Sequence, residues 1–417
     1  MQANTTAVYQ CPGEAYPISP AIHLGRLASF YPKCRQCSHC HETGTLSTGV
    51  VKMLNETRNR NVAESLFTAE GISGVYLNDL SPLQTRQFAA AFGLSLARRD
   101  SGEQGGIVLA GDGRDLAPEL MAAASDGLRW SGRDVVDLGA ASAPCLTQAL
   151  RHLQAAGGLL VGNASGQANM VGLKLWGADG RPLSAGPELD AIRKLCAQGV
   201  DRPTRSYGAL SRFQPESPYL AGLEEFFHAL RPLRLVLDTG CRPLIGYLRK
   251  LSASVACELL LSREAATSPA ARGLGLAERI RGEQAHFGIW IDGDGEACRV
   301  VDERGARLTA EQTLSLLADY VLQKQPGASV IVEQATCAAT VERIAAAGGR
   351  VTRSGASRAE MHAAMSARDA ALGGGPSGRY WYGARPPLAD GLRTLSLLLT
   401  ILSQSDRPLS ETVRALG

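Results

Sequence analysis

Three carboxylates stand at alternate positions in Asp292-Gly-Asp294-Gly-Glu296, directly after the apolar run Phe287-Gly-Ile-Trp-Ile291. Hard oxygen donors spaced in this way suit one small divalent cation, and the intervening glycines permit the sharp backbone path such a site needs. An EF-hand is excluded, because its bidentate Glu and flanking helices are missing. The other reading of these residues is an acidic surface turn. The apolar strand that feeds the loop favours Mg²⁺ on Asp292, Asp294 and Glu296.

A second group lies near the start. Cys34-Arg-Gln-Cys37 has the two-residue spacing of a zinc knuckle, and Cys11 and His23 precede it. Tetrahedral zinc takes four thiolate or imidazole ligands, which Cys11, His23, Cys34 and Cys37 supply. His39, Cys40 and His41 are alternative ligands. Three Cys at this repeated spacing also suit an iron–sulfur cluster, and free or redox thiols are a third reading. A polar segment without a core is what a bound metal can organise, and such modules often dock a partner protein.

The elements that must position these groups follow from the hydrophobic rhythm. From Gly105 onward, short apolar runs alternate with helical stretches, which indicates buried, mostly parallel sheets. Strands are expected at Gly106–Ala110, Asp134–Leu138 and Gly158–Val161, with helices at Pro118–Trp130 and Leu146–Ala156. The pattern restarts near Pro218 with a helix over Tyr219–Leu230, and again at Thr309 with a helix over Ala310–Gln323. The expected fold is therefore α/β, three consecutive α/β domains with mixed or parallel sheets behind a small N-terminal zinc-binding segment. The expected boundaries are 1–60 for that segment and its linker, then 61–205, 206–303 and 304–417.

Such sheets place ligands at the loops that follow their strands. Four loops qualify: Gly71–Gly74, Asn163–Ala168 with Gly172–Lys174 behind it, Asp292–Glu296, and Gly373–Arg379. His152, His228, His286 and His362 stand in helical or strand-edge contexts and read as structural.

Composition removes several functions. Of 417 residues, 45% are hydrophobic and 20% charged, which is ordinary for a chain that buries a large core. A net charge of +3 is too balanced for a nucleic-acid binder. The basic residues comprise 37 Arg and only 6 Lys, a bias read first as genomic base composition. No apolar run approaches a membrane span, and the first residues lack a secretory pattern, so a cytoplasmic location away from membranes is expected.

From residue 65 onward, the order and spacing of the four loops resemble the α-D-phosphohexomutase family of phosphoglucomutases and phosphomannomutases. Asn163-Ala164-Ser165-Gly166-Gln167-Ala168 matches the family's phosphoserine loop, keeping its Ala and Ser. Val171-Gly172-Leu173-Lys174 matches the Asn-Gly-x-Lys that follows. Asp292–Ala297 matches the Asp-Gly-Asp-Gly-Asp-Arg metal loop, with Glu296 for the third Asp and no Arg. Gly374–Arg379 matches the sugar loop Gly-Glu-x-Ser-Gly-His, with the Glu and His replaced, and Gly71–Gly74 lacks the family's early Arg.

The resemblance implies a phosphoryl group carried by Ser165. It also implies Lys174 in acid–base work or phosphate contact, and sugar contacts from Ser377, Gly378 and Arg379. It implies Mg²⁺, hexose phosphates as substrates, and a hexose bisphosphate as activator. The family's fourth domain, which grips the distal phosphate, is expected to be absent. Two functions follow: a divergent phosphohexomutase, an isomerase of carbohydrate metabolism, or a catalytically degenerate relative that binds a phosphosugar or a protein.

Overall fold

The computed structural model describes residues 9–11, 15–29, 31, 34, 37–59, 66–97, 105–162, 169–178, 180–198, 206–253, 255–262, 269–383 and 386–415. Three sheets follow one another along the chain. The first orders strands β1 (Phe67–Thr68), β2 (Gly71–Val75), β3 (Ile107–Gly111), β4 (Val135–Ala140), β5 (Gly157–Gly162), β6 (Met170–Gly177) and β8 (Leu210–Arg212) as β1-β2-β6-β5-β3-β4-β8, and β7 (Pro182–Leu183) pairs with β6. Its β5-β3-β4-β8 half is parallel, whereas β6 runs antiparallel to both β5 and β2.

The second sheet is β10-β9-β11-β12, built from β9 (Arg234–Thr239), β10 (Glu258–Leu261), β11 (Phe287–Ile291) and β12 (Cys298–Asp302). The third is β14-β13-β15-β16-β17, from β13 (Ser329–Glu333), β14 (Arg350–Ser354), β15 (Leu372–Gly374), β16 (Trp381–Tyr382) and β17 (Leu388–Ala389). Each sheet is thus mixed: a parallel centre with antiparallel strands at one side.

One hydrophobic cluster runs through all three sheets. It joins Val108 and Leu160 of the first, Leu235 and Ile289 of the second, and Val330 and Leu372 of the third, with Leu146, Leu244 and Leu395 from the covering helices. A shared core of this kind fixes the sheets relative to one another, because close-packed side chains transmit displacement rather than absorb it. The ends of β5, β11 and β15 are held together as a result.

Most expected elements form within a few residues of their expected ends. The helix expected over Tyr219–Leu230 is instead a short helix, Glu216–Ala221, and a 3₁₀ turn, Glu224–Phe227. Gly222 separates them, where a glycine weakens helix continuation. Among the described residues no helix is long and apolar enough to cross a membrane.

The N-terminal segment contributes helices Pro20–Ala28 and Thr48–Asn59. Its small core is Leu27, Cys34 and Leu54, with Leu24, Tyr31, Leu46 and Val50 packed against them.

Candidate functional site

The acidic loop is the turn of the β11–β12 hairpin. Ile291 pairs with Cys298, and the Asp292 N–H donates to the Ala297 carbonyl at 2.9 Å. The Glu296 N–H donates to Asp292 Oδ1 at 2.8 Å, and Gly295 closes the turn at φ +82°, a conformation that favours glycine. Two helix N-termini grip this turn. The Ala143 N–H, first in helix Ala143–His152, donates to the Asp294 carbonyl at 2.8 Å, and the Gly391 N–H, first in helix Gly391–Ser403, donates to the Gly295 carbonyl at 2.9 Å. Amides with no partner inside their own helix thereby hold the loop in place.

Lys174 reaches the loop from β6. Alternation along that strand sends Val171, Leu173 and Leu175 into one core and puts Lys174 and Trp176 on the opposite face. The Lys174 Nζ lies 2.6 Å from Asp294 Oδ2 and 2.9 Å from Glu296 Oε2. Arg358 is fully buried at the first turn of helix Arg358–Ala367, and its guanidinium stacks on the Trp176 ring at 4.4 Å. Its Nε donates to Glu296 Oε1 at 3.0 Å, and its two terminal nitrogens have no hydrogen-bond partner among the described residues. Arg379 adds a third cation, with Nε 3.8 Å from Glu296 Oε2 and Nη1 3.3 Å from Glu70 Oε1.

The electrostatics follow this pairing. Burial alone would raise the Glu296 carboxyl, but Arg358, Lys174 and Arg379 outweigh it and hold it at about 2. Asp292 goes the other way, pushed up to about 6 by burial and by the neighbouring Asp294 charge. Burial would lower the Lys174 ammonium, yet Asp294 and Glu296 overcome it and keep the pKa above its usual value. Lys174 is therefore a fixed positive charge.

The structure brings Lys174, Asp292, Asp294, Glu296 and Arg379 together. The carboxylates surround protein cations, and that differs from the expected magnesium cage. Both Glu296 oxygens and one Asp294 oxygen are taken by Lys174 and Arg358, whereas Asp294 Oδ1 is buried without a hydrogen-bond partner among the described residues. That oxygen faces Gly162 at the end of β5, where an added Cβ would come within 2.6 Å of it. Ser165 and its loop, Asn163–Ala168, lie outside the described residues.

The sugar loop also differs in detail. Ser377 donates its hydroxyl to Glu333 at the end of β13, and its N–H donates to the same carboxylate at 3.0 Å. Gly378 turns the chain at φ +75°, and Arg379 points into the ion cluster. Glu70 and Arg358 escape the sequence reading. The Ser357-Arg-Ala-Glu360 capping box, formed in the structure, is the signal that marks the start of the Arg358 helix.

In the N-terminal segment Cys11, Cys34, Cys37 and Cys40 are buried and not disulfide-bonded. Among the described residues no group of three or more His, Cys, Asp or Glu side chains is arranged to hold a metal ion. His23 Nε2 donates to the Glu42 carbonyl at 3.0 Å and its ring stacks on Tyr9. Nδ1 is left buried without a hydrogen-bond partner among the described residues.

Residues 64–200 match the family model "phosphoglucomutase/phosphomannomutase, alpha/beta/alpha domain I", and residues 309–416 match the corresponding domain III. A phosphoglucosamine mutase of Symbiobacterium thermophilum is 30% identical over 363 residues, covering 83% of this chain and 80% of the relative. The phosphohexose mutases of Xanthomonas campestris pv. campestris are 27% identical over 361 residues, covering 84% and 79%. A crystal structure of a phosphoglucomutase/phosphomannomutase family protein from Burkholderia thailandensis superimposes with a TM-score of 0.75 at 25% identity, covering 85% of this chain and 80% of that one.

Proposed function

The chain belongs to the α-D-phosphohexomutase family, and from that premise we propose that the face where its three sheets meet binds hexose phosphates, with slow phosphoryl transfer through Ser165. The observation that carries this reading is the convergence of Lys174, the acidic loop and Arg379, one from each sheet region, beside the end of β5.

Phosphoryl transfer asks mostly for positioning and charge neutralisation. A hexose bisphosphate would transfer one phosphoryl group to the Ser165 hydroxyl, whose proton passes to the departing hexose monophosphate oxygen, and a hexose monophosphate hydroxyl would then take that group, returning a proton to Ser165. Arg379, and Lys174 once released from its carboxylates, would offset the phosphate charge. Ser377 is tied to Glu333 and would have to exchange that bond to contact a sugar. Magnesium, which the family resemblance implies, would supply Lewis-acid neutralisation of the phosphoryl oxygens. The three carboxylates do not fit it as they stand, because protein cations already hold Asp294 Oδ2 and both Glu296 oxygens, and Asp292 caps the Glu296 amide.

The second reading, a binding protein without turnover, is favoured by the same pairing. Lys174 is engaged by two carboxylates and cannot act as a base in that state. Removing one group that stabilises a transition-state charge costs about 10²–10³ in rate. A coupled mutase assay with glucose 1,6-bisphosphate, run beside calorimetry with glucose, mannose and glucosamine phosphates, separates the readings. Binding with turnover far below about 1 s⁻¹, abolished by Ser165→Ala, is expected. Absence of binding to any hexose phosphate would sink the proposal.

We further propose that the N-terminal segment takes zinc through Cys11, His23, Cys34 and Cys37. The His23 contact supports it: with Nε2 donating to a carbonyl, the Nδ1 lone pair is the free one, as in an oriented histidine ligand. Elemental analysis should find about one zinc per chain, lost in Cys34→Ser/Cys37→Ser.

A further inference from the structure

Resting on the reading of this face as the family's phosphosugar centre, we infer that the chain supplies the cation of its own acidic loop: the Lys174 ammonium fills the place between Asp294 and Glu296 that a divalent ion would need, and Arg358 and Arg379 complete the neutralisation. The loop is then a metal-independent junction between the three sheets.

Geometry argues for it. Mg²⁺ requires oxygen ligands at about 2.0–2.1 Å in near-octahedral order. Lys174 Nζ already lies at 2.6 and 2.9 Å from the two oxygens that would have to close on the metal. A divalent ion cannot enter between them while the ammonium stays, and Lys174 is buried, with 6% exposure. Glu296 is the most committed of the three: Arg358 holds one oxygen, and Lys174 and Arg379 face the other. That leaves Asp292, which caps the Glu296 amide, and Asp294 Oδ1, which has no hydrogen-bond partner among the described residues. Two part-engaged carboxylates beside three positive charges make a poor divalent site.

The partners come from separate parts of the chain. Lys174 and Glu70 belong to the first sheet region, the loop to the second, and Arg358 and Arg379 to the third. Removing a protein cation here would therefore do two things at once: expose carboxylate oxygens to metal and loosen the junction.

The test is titration of MgCl₂ into the metal-stripped full chain, followed by calorimetry and by thermal unfolding with and without Mg²⁺. The wild type should show no saturable heat at millimolar Mg²⁺ and no shift in Tm. Lys174→Gln, which frees Asp294 Oδ2 and Glu296 Oε2, should gain a saturable one-to-one heat. Its Mg²⁺ affinity should rise by roughly tenfold or more, and its Tm should rise with Mg²⁺.

Saturable binding by the wild type that is lost in Asp294→Asn would overturn the inference. So would a folded Lys174→Gln chain that remains indifferent to Mg²⁺. If Lys174→Gln does not fold, the charge-balanced Lys174→Gln/Asp294→Asn chain should recover folding, and failure to recover it also counts against the pairing. Hexose-phosphate binding is scored separately: its loss sinks the functional proposal and leaves the metal result standing, while magnesium binding by the wild type does the reverse.

Discussion

Two buried carboxylates near the acidic loop have opposite characters. Glu296 faces three cations and sits at about 2. Asp390 caps helix Gly391–Ser403, whose first amide grips the same loop, and is pushed up to about 6. Both are almost sealed from solvent. Burial pushes each upward, and what separates them is the donor set. Asp390 is satisfied by the Leu392 and Arg393 amides and the Tyr219 hydroxyl, with the Arg393 charge also in its favour. Neutral donors offset desolvation in part; full charges reverse it.

The largest way to break this comparison is Glu296→Gln. It leaves Lys174, Arg358 and Arg379 without their shared counter-charge, and uncompensated buried charge typically costs about 3–5 kcal/mol. Urea unfolding should show that loss, with the midpoint falling and the slope unchanged. A loss below about 1 kcal/mol would place the cluster among weak surface pairs. Arg358→Met comes next, at about 3 kcal/mol, because Glu296 keeps two other cations. Part of that loss is the stack on Trp176. Arg358→Lys should not restore it, since an ammonium cannot both stack on the indole and donate from Nε.

The distribution of these groups explains what the sequence reveals. The acidic loop is legible because its carboxylates and glycines are contiguous, and one hairpin turn carries them all. Ser377, Gly378 and Arg379 are legible by position, yet their partners are not: Glu333 is 44 residues from Ser377, and Glu70 is 309 residues from Arg379. Lys174 interrupts an apolar run, so Val171–Lys174 reads as a loop when it lies within a strand. Arg358 has a readable local signal in its capping box, but nothing local says which way it faces. The three-sheet order is legible because apolar strands and amphipathic helices repeat. The junction between sheets depends on long-range ion pairs, which leave no periodicity. Two of the histidines make local packing and hydrogen-bond contacts: His152 stacks on Phe213, and His286 Nδ1 accepts the Arg234 N–H at 2.9 Å.

A smaller effect sharpens the Asp390 side. Tyr219→Phe removes a hydroxyl that lies 3.0 Å from both carboxylate oxygens and leaves the carboxylate under-satisfied. The cost should be about 1–3 kcal/mol at neutral pH and smaller below pH 5, where the carboxyl is protonated. Equal losses at both pH values would show that the hydroxyl acts through packing alone.

The smallest effect is the most diagnostic, because its sign is opposite to that of a paired carboxylate. Asp390 titrates at about 6 in the fold against about 3.9 for an unfolded Asp. The native state therefore binds this proton more tightly than the unfolded chain does. Its contribution falls as pH rises from about 4 to about 6, by at most about 1.4 kcal/mol per pH unit, and is flat outside that window. The groups around it are Tyr219, Tyr382, Cys145 and Cys298 from neighbouring elements and Arg393 from its own helix. The cysteine thiols and tyrosines are all raised well above this range, so none of them titrates within it. Asp390→Asn keeps a good N-cap and removes the charge. The difference in unfolding free energy, wild type minus variant, should therefore grow as pH is lowered from 7 to 4. A difference that shrinks on acidification would mean that Asp390 behaves like Glu296, and that Arg393 dominates its surroundings.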